Sequence, residues 1–276
     1  MAQVINTNIS SLNAQRNLTS SQMSLSTSLQ RLSSGLRVNS AKDDAAGLAI
    51  AERMMSQIKG FGVAQRNAND AISLAQTAEG ALGKVGDALQ RMRELAVQSA
   101  NASNSTTDRV NLNSEFQQLN AEVDRVLSGT TFNSVDLLST AVTLTFQVGA
   151  NNIGTDKVDI GTTDLTAGTG ITAVAGGDIT SAANALTAMD NLDDAIDEIT
   201  TARANFGAGQ NRFEAVVANL QVAVENQTAS RSRIMDADFA VETANLTRAS
   251  ILQQAGTAML AQANALPNTV LTLLRG

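Results

Sequence analysis

Eleven positions between Met189 and Val224 fall alternately three and four residues apart: Met189, Leu192, Ile196, Ile199, Arg203, Phe206, Gln210, Phe213, Val217, Leu220 and Val224. That spacing keeps one side of a helix facing a partner over its whole length, which is the signature of a coiled-coil seam. Only Arg203 and Gln210 interrupt it with polar side chains. A seam this long requires a partner helix of similar reach, and one is present upstream. A second stripe runs through Met54, Ile58, Phe61, Ala68, Ile72, Ala75, Leu82, Val85, Leu89, Met92 and Ala96. Continued to about residue 101, it predicts a helix roughly 80–90 Å long at 1.5 Å per residue. Gly60, Gly62, Gly80, Gly83 and Gly86 weaken it and offer places for a kink or for a close neighbour. A turn at residues 101–107 leads into a shorter helix carrying Leu112, Phe116, Leu119, Val123 and Val126.

Both ends of the chain are amphipathic and neither can hide its stripe alone. Residues 1–40 hold Arg16, Arg31 and Arg37, no acidic residue, and nearly half Ser, Thr or Asn, which are mediocre helix formers. Yet Ile5, Ile9 and Leu12, then Leu25, Leu29, Leu32 and Leu36, recur at helical spacing. At the other end Leu252, Ala255, Met259, Ala263, Leu266, Val270 and Leu273 form a comparable stripe. Pro267, the one proline, is expected to kink this last helix or to begin its final piece. Such arms should order against a partner rather than alone. Ser40 with Asp43 three residues on predicts a helix-start cap.

The centre switches period. Val142, Leu144 and Phe146 alternate with polar residues, as do Val158 and Ile160, across a stretch rich in Asn and Gly; this predicts a β-hairpin at about 141–165. Residues 166–183, rich in Gly, Ala and Thr, read as an exposed irregular loop. The expected fold class is mainly α, with long paired coiled-coil helices, a small β-hairpin, and the N- and C-terminal helices side by side.

Composition limits the chemistry. The chain has 276 residues and no His and no Cys, so the usual near-neutral acid–base group, thiol nucleophiles, disulfides and thiolate metal sites are unavailable. Aromatic residues are only 3%, which favours small side chains packed along helices over a bulky compact core. A net charge of −7 with dispersed Lys and Arg argues against nucleic-acid binding. No apolar run approaches a membrane span, and the first residues lack the pattern of a cleaved secretory signal. Asp43-Asp44 and Asp193-Asp194 have nothing beside them to complete a cation site and are read as solvated helix residues or caps. No cofactor, metal or catalytic residue is expected.

Several motifs, in order, carry a resemblance. They are Leu-Gln-Arg-Leu-Ser-Ser-Gly-Leu-Arg-Val-Asn-Ser-Ala-Lys-Asp-Asp-Ala-Ala-Gly-Leu-Ala-Ile-Ala at 29–51, Arg-Asn-Ala-Asn-Asp at 66–70, Gln-Arg-Met-Arg-Glu-Leu-Ala-Val-Gln at 90–98, Gln-Val-Gly-Ala-Asn at 147–151 and Gln-Asn-Arg-Phe at 210–213. Toward the other end come Ser-Arg-Ile-Met-Asp-Ala-Asp at 232–238, Ile-Leu-Gln-Gln-Ala-Gly at 251–256 and Leu-Ala-Gln-Ala-Asn at 260–264. Over about the first 150 and last 90 residues the chain resembles bacterial flagellin, in a short form: residues 151–183 leave no room for the large outer domains many flagellins carry.

The resemblance implies a non-enzymatic structural subunit that polymerises into the extracellular flagellar filament used for swimming. It implies terminal arms (1–42 and 235–276) forming an inner tube, and a rod-like helical domain (43–234) around it. The terminal stripes Ile5, Ile9, Leu12, Leu25, Leu29, Leu32, Leu36, Leu252, Met259, Leu266, Val270 and Leu273 are then the self-assembly residues. Implied partners are further copies of the chain, the flagellar type III export apparatus, an export chaperone, and the filament cap and hook–filament junction proteins. Export would proceed unfolded and without a cleaved signal peptide, and the absence of Cys suits such a route. Arg91, Leu95 and Glu115 match the patch bound by the vertebrate Toll-like flagellin receptor, with Arg91 and Leu95 expected to flank the apolar face that Leu89, Met92 and Ala96 turn inward. Val270, Leu271, Leu273 and Leu274 match the tail read by cytosolic flagellin sensors, although tube packing alone already calls for these leucines. A hook–filament junction protein shares the paired arms but assembles in few copies. A protease-bearing flagellin would need a His-Glu-x-x-His motif, which a chain without His cannot supply.

Overall fold

The computed structural model describes residues 7–275, with side chains through residue 265. Six helices dominate: α1 (Ile9–Ser34), α2 (Ala45–Ala100), α3 (Thr106–Gly129), α4 (Thr169–Ala175), α5 (Ala182–Met235) and α6 (Phe239–Arg275). Two small antiparallel pairs accompany them, β1 (Thr131–Phe132) with β2 (Val135–Asp136), and β3 (Thr143–Gln147) with β4 (Lys157–Gly161). The chain divides into two compact units, residues 1–56 with 226–276, and residues 57–225.

In the second unit the predicted seam is realised. Leu192, Ile199, Phe206, Phe213 and Leu220 lie buried at seven-residue intervals on α5, and Ala68, Ala75, Leu82, Leu89 and Ala96 do the same on α2. The two polar interruptions meet one carboxylate across the seam. The Gln210 amide donates to Glu79 Oε2 at 3.0 Å, and the Arg203 guanidinium lies 3.7 Å from Glu79 Oε1. Helix α3 adds Phe116, Val123 and Leu127 to the same core. Its start is fixed by a reciprocal cap, in which the Asp108 backbone N–H donates to the Ser105 hydroxyl and the Ser105 backbone N–H donates to the Asp108 carboxylate.

The hairpin pairs Leu144 with Ile160 and Phe146 with Val158. Val158 and Ile160 are buried, and Phe146 sets its ring edge-on to Phe213 at 5.5 Å. Gly60 is where α2 meets the tip of this hairpin: a Cβ there would stand 2.7 Å from the Ala150 methyl. The five glycines expected to weaken α2 do not break it. The β1–β2 turn is a short hairpin the sequence pattern did not reveal, with Asn133 and Ser134 both at positive φ, the geometry of a two-residue type I′ turn.

The expected exposed loop at 166–183 is corrected. It contains α4, and Gly170, Ile171, Val174 and Ile179 are buried. A Cβ at Gly170 would stand 2.5 Å from the Ala195 backbone nitrogen, so the glycine lets α4 lie directly on α5. The Gly, Ala and Thr composition that suggests a loop instead permits close packing.

In the first unit α1 and α6 run antiparallel. Asn8 donates to the Ala263 carbonyl at 2.7 Å, the Ser11 hydroxyl bonds the Asn264 side chain at 2.8 Å, and Leu36 bridges Asp236. The chain leaves α1 at Gly35, whose φ of 71° closes the helix with its N–H donating to the Arg31 carbonyl. Below it Val38, Ala51 and Met235 form a small separate core. The expected helix-start cap at Ser40 is corrected: Ser40–Asp43 forms a turn, and the cap lies four residues on, at Asp44. Asp43 accepts from the backbone N–H groups of Asn39 and Ser40, which holds its carboxyl below the usual range, while Asp44 caps α2 by accepting from the Gly47 N–H. Helix α6 passes through Pro267 as one element, so no separate piece begins there.

Candidate assembly surfaces

The contact between α1 and α6 mixes small and polar residues with leucines. On α1 the positions turned toward α6 are Ser11, Ala14, Leu18, Ser21, Leu25, Ser28 and Leu32; on α6 they include Glu242, Ala249, Gly256 and Ala263. The α1 positions repeat at steps of three and four residues, and the α6 residues named lie seven apart. Leu18 packs over Gly256, where a Cβ would sit 3.3 Å from its Cδ1. One ion pair enters the seam, between Arg31 and the buried Glu242 at 3.9 Å.

A second set of large apolar residues faces the other way. Ile9 is 68% exposed, Leu12 51% and Met23 62%, and on α6 Leu252 is 52% and Met259 64% exposed. Leu29 and Ile251 are also exposed. The predicted stripes therefore divide. Leu25, Leu32 and Leu36 are half-buried, whereas Ile9, Leu12, Leu29, Leu252 and Met259 remain in contact with solvent. Ile5 lies outside the described residues, as do the side chains of Leu266, Val270, Leu271, Leu273 and Leu274. Sequence reasoning missed Met23. It is exposed, in line with Ile9 and Leu12 when followed through Arg16 and Thr19 at steps of three and four.

On the second unit Arg91 and Glu115 come together. The Arg91 guanidinium donates to Glu115 Oε1 from both Nε and Nη2 at 3.0 Å, and from Nη1 to Glu94 at 2.8 Å. Bonding to Glu94 and Glu115 raises the Arg91 pKa, and its side chain stays half exposed. Leu95 is the exception. Expected beside the apolar face, it is 1% exposed and belongs to the core with Leu89, Met92 and Ala96. A core-facing stripe is more than 100° wide, so both Leu95 and Ala96 fall inside it. On the neighbouring face Arg93 forks onto Asp193 at 2.6 and 3.1 Å, which lowers the Asp193 pKa and accounts for one member of the adjacent carboxylate pair.

Among the described residues no group of three or more acidic side chains is arranged to hold a metal, and no helix is long and apolar enough to cross a membrane. The side chains these surfaces present are Ile9, Leu12, Met23, Leu252 and Met259 on the first unit and the Arg91–Glu94–Glu115 cluster on the second.

Comparison with known proteins agrees with that chemistry. The family model for the bacterial flagellin N-terminal helical region matches residues 5–143, and the one for the C-terminal helical region matches residues 189–274. A flagellin of Halalkalibacterium halodurans is 48% identical over 99% of this chain and all of its own length. The flagellar filament 33 kDa core protein of Treponema phagedenis is 42% identical with the same two-way coverage. Among solved structures, Bacillus cereus flagellin is 34% identical and superposes with a TM-score of 0.50 over 56% of this chain and 88% of its own.

Proposed function

The chain belongs to the bacterial flagellin family, and we propose that its terminal helices reach their stable form only inside the polymer. Flagellins are structural proteins, and this one is a subunit of the extracellular flagellar filament that serves swimming motility. The observation that carries the proposal is the division on α1 and α6: serines, alanines and three half-buried leucines join the two helices while Ile9, Leu12, Met23, Leu252 and Met259 are left in water. Burying such a side chain fully is worth roughly 1.5–3 kcal/mol, and ordering each residue costs roughly 1–2 kcal/mol of backbone entropy. Two helices joined by serines, alanines, a glycine and half-buried leucines recover only part of that cost between themselves. Neighbouring copies that cover the outward residues supply the remainder.

In this reading residues 1–42 and 235–276 line the inner tube and residues 43–234 form the layer around it. Arms that gain little from one another suit passage in extended form through a type III export apparatus, with a chaperone holding the apolar tail and the filament cap and junction proteins meeting the chain at the two ends of the polymer. Host recognition by the Toll-like flagellin receptor is assigned to the exposed Arg91 and Glu115, with Leu95 holding α2 in place from below. Recognition of the leucine-rich tail at Val270, Leu271, Leu273 and Leu274 by cytosolic sensors is assigned on family resemblance.

Amide exchange tests the proposal. Residues 7–34 and 239–265 should exchange freely in the monomer and become protected in filaments grown from seeds, and a chain lacking residues 240–276 should not elongate seeds. Full protection of both arms in the free monomer would overturn it.

A further inference from the structure

The stretch that joins α4 to α5 is held by side chains that bond its main chain. On α3, Asn113, Gln117 and Asn120 follow one another at steps of four and three, along one face of the helix. The Asn120 amide donates to the Ala175 carbonyl at 3.3 Å, and the Gln117 amide donates to the Gly177 carbonyl at 2.8 Å. Asn113 Oδ1 accepts from the Ile179 N–H at 3.0 Å, and the Ser99 hydroxyl on α2 donates to the Ile179 carbonyl. Every second residue of the stretch is thus bonded through its main chain. Among the described residues no strand pairs with it, and the row of side chains stands where the peptide groups of a neighbouring strand would be.

Side chains of the stretch contribute little to these bonds. Ala175 offers only an exposed methyl and Gly177 nothing, whereas Ile179 is fully buried in the core of the second unit. The wall that holds them is built for a polypeptide: Ser99 is 0% exposed and Asn120 7%, and without main-chain partners their polar groups would stand unpaired in the core, at a cost. The stretch itself is easily freed. Gly176 and Gly177 regain more conformational freedom on release than any other residue type, and a segment without ladder bonds opens locally at lower free energy than the helices beneath it.

We infer that Ser99, Asn113, Gln117 and Asn120 form a receptor for a peptide main chain with one aliphatic anchor, filled in this structure by the chain's own residues 175–179, which leave and return while the helices stay folded. The inference concerns the second unit of a single copy and stands apart from the filament reading.

Amide exchange in the full chain at neutral pH tests it, because the two amides of α3 act in opposite senses. Asn113→Asp keeps an acceptor for the Ile179 N–H, whereas Gln117→Glu removes the donor that meets the Gly177 carbonyl. In the parent, amides at 175–179 should exchange faster than those of α2 around Leu82 and Leu89. Gln117→Glu and Asn113→Leu should each speed exchange at 175–179 by about tenfold and leave the α2 amides unchanged, while Asn113→Asp should leave both unchanged. Equal responses to Asn113→Asp and Gln117→Glu, or parent exchange no faster at 175–179 than in α2, overturn the inference. A second measurement uses the vacated site. A fluorescein-labelled peptide of residues 173–181 should bind an Ile179→Asn chain, and should bind neither the parent, whose own segment fills the site, nor the Ile179→Asn chain that also carries Gln117→Glu. Absence of binding to the Ile179→Asn chain, or binding indifferent to Gln117→Glu or to the parent's Ile179, overturns the receptor.

Discussion

Replacing Leu95 by Ala separates the two roles that sequence alone gave this residue. The side chain is 1% exposed and sits among Leu89, Met92 and Phe116 in the core of the second unit. Leucine-to-alanine changes at such sites cost about 2–5 kcal/mol, from lost transfer energy and from the cavity left behind. In a unit the size of residues 57–225, each kcal/mol lowers the melting midpoint by about 2–4 °C. The expected drop is therefore about 4–20 °C, read by far-ultraviolet circular dichroism on the monomer. Arg91→Glu should behave differently. Its partners Glu94 and Glu115 are themselves exposed, exposed ion pairs add little stability, and its midpoint should stay near that of the unmodified chain. Receptor binding measured well below both midpoints should show the reverse order, with Arg91→Glu losing affinity and Leu95→Ala nearly retaining it. A Leu95→Ala midpoint within about 1 °C of the parent would refute the reasoning, because it would mean the side chain is not packed.

Two further outcomes follow from local geometry. Gly60→Ala gains about 1 kcal/mol of helix propensity but forces a methyl to 2.7 Å from Ala150, an overpacking worth about 1–3 kcal/mol; Gly83, with nothing within 4 Å of a Cβ, meets no such clash. Gly83→Ala should raise the urea midpoint and Gly60→Ala should lower it, and a rise in both would show that the hairpin tip yields freely. The Arg93–Asp193 fork depresses the Asp193 pKa in the folded state, so its contribution is present above the unfolded carboxyl pKa of about 3.9 and is lost as pH falls through the lower folded value. Arg93→Gln should flatten that acid limb of the urea midpoint and leave the neutral-to-alkaline region parallel to the parent; an unchanged acid limb would remove the pair from the account.

The long seam was legible because its side chains are large and its partner is another long helix. Met189 to Val224 and the α2 stripe alternate regularly, and the core follows them. Even the polar interruptions at Arg203 and Gln210 were visible, although their common partner Glu79 was not, since nothing local to Glu79 marks it. What escaped notice depends on small residues. Residues 166–183 look like a loop because Gly170 and its neighbours are poor helix formers, yet the missing side chain is what admits α4 to the α5 backbone. The β1–β2 hairpin turns on Asn133-Ser134 rather than on the Asn-Gly pair that usually announces such a turn. For the candidate site the same cause produced a subtler error. Ranking α1 by hydrophobicity merges Leu25 and Leu32, which face α6 beside Ser11, Ser21 and Ser28, with Ile9, Leu12 and Leu29, which face away from it. Helices that approach through small residues do not advertise the contact by apolarity.

That division constrains how the terminal helices can work. A helix pair meant to be stable alone would place Ile9, Leu12 and Met23 toward α6 and the serines toward water, and binary patterning would then predict the seam correctly. Here Ile9, Leu12 and Met23 are withheld from the intramolecular contact, while Leu18, Leu25 and Leu32 enter it. Register is instead held by polar devices, the Asn8 and Ser11 bonds near Ala263 at one end and the Arg31–Glu242 pair toward the other. Polar contacts specify alignment more than they add stability. The division of labour is consistent: inward-facing residues set which positions of α1 and α6 lie side by side, and outward-facing residues carry the free energy that becomes available when another copy arrives. Stability of the arms then rises with subunit concentration by mass action, so ordering of the terminal helices and growth of the filament become a single equilibrium.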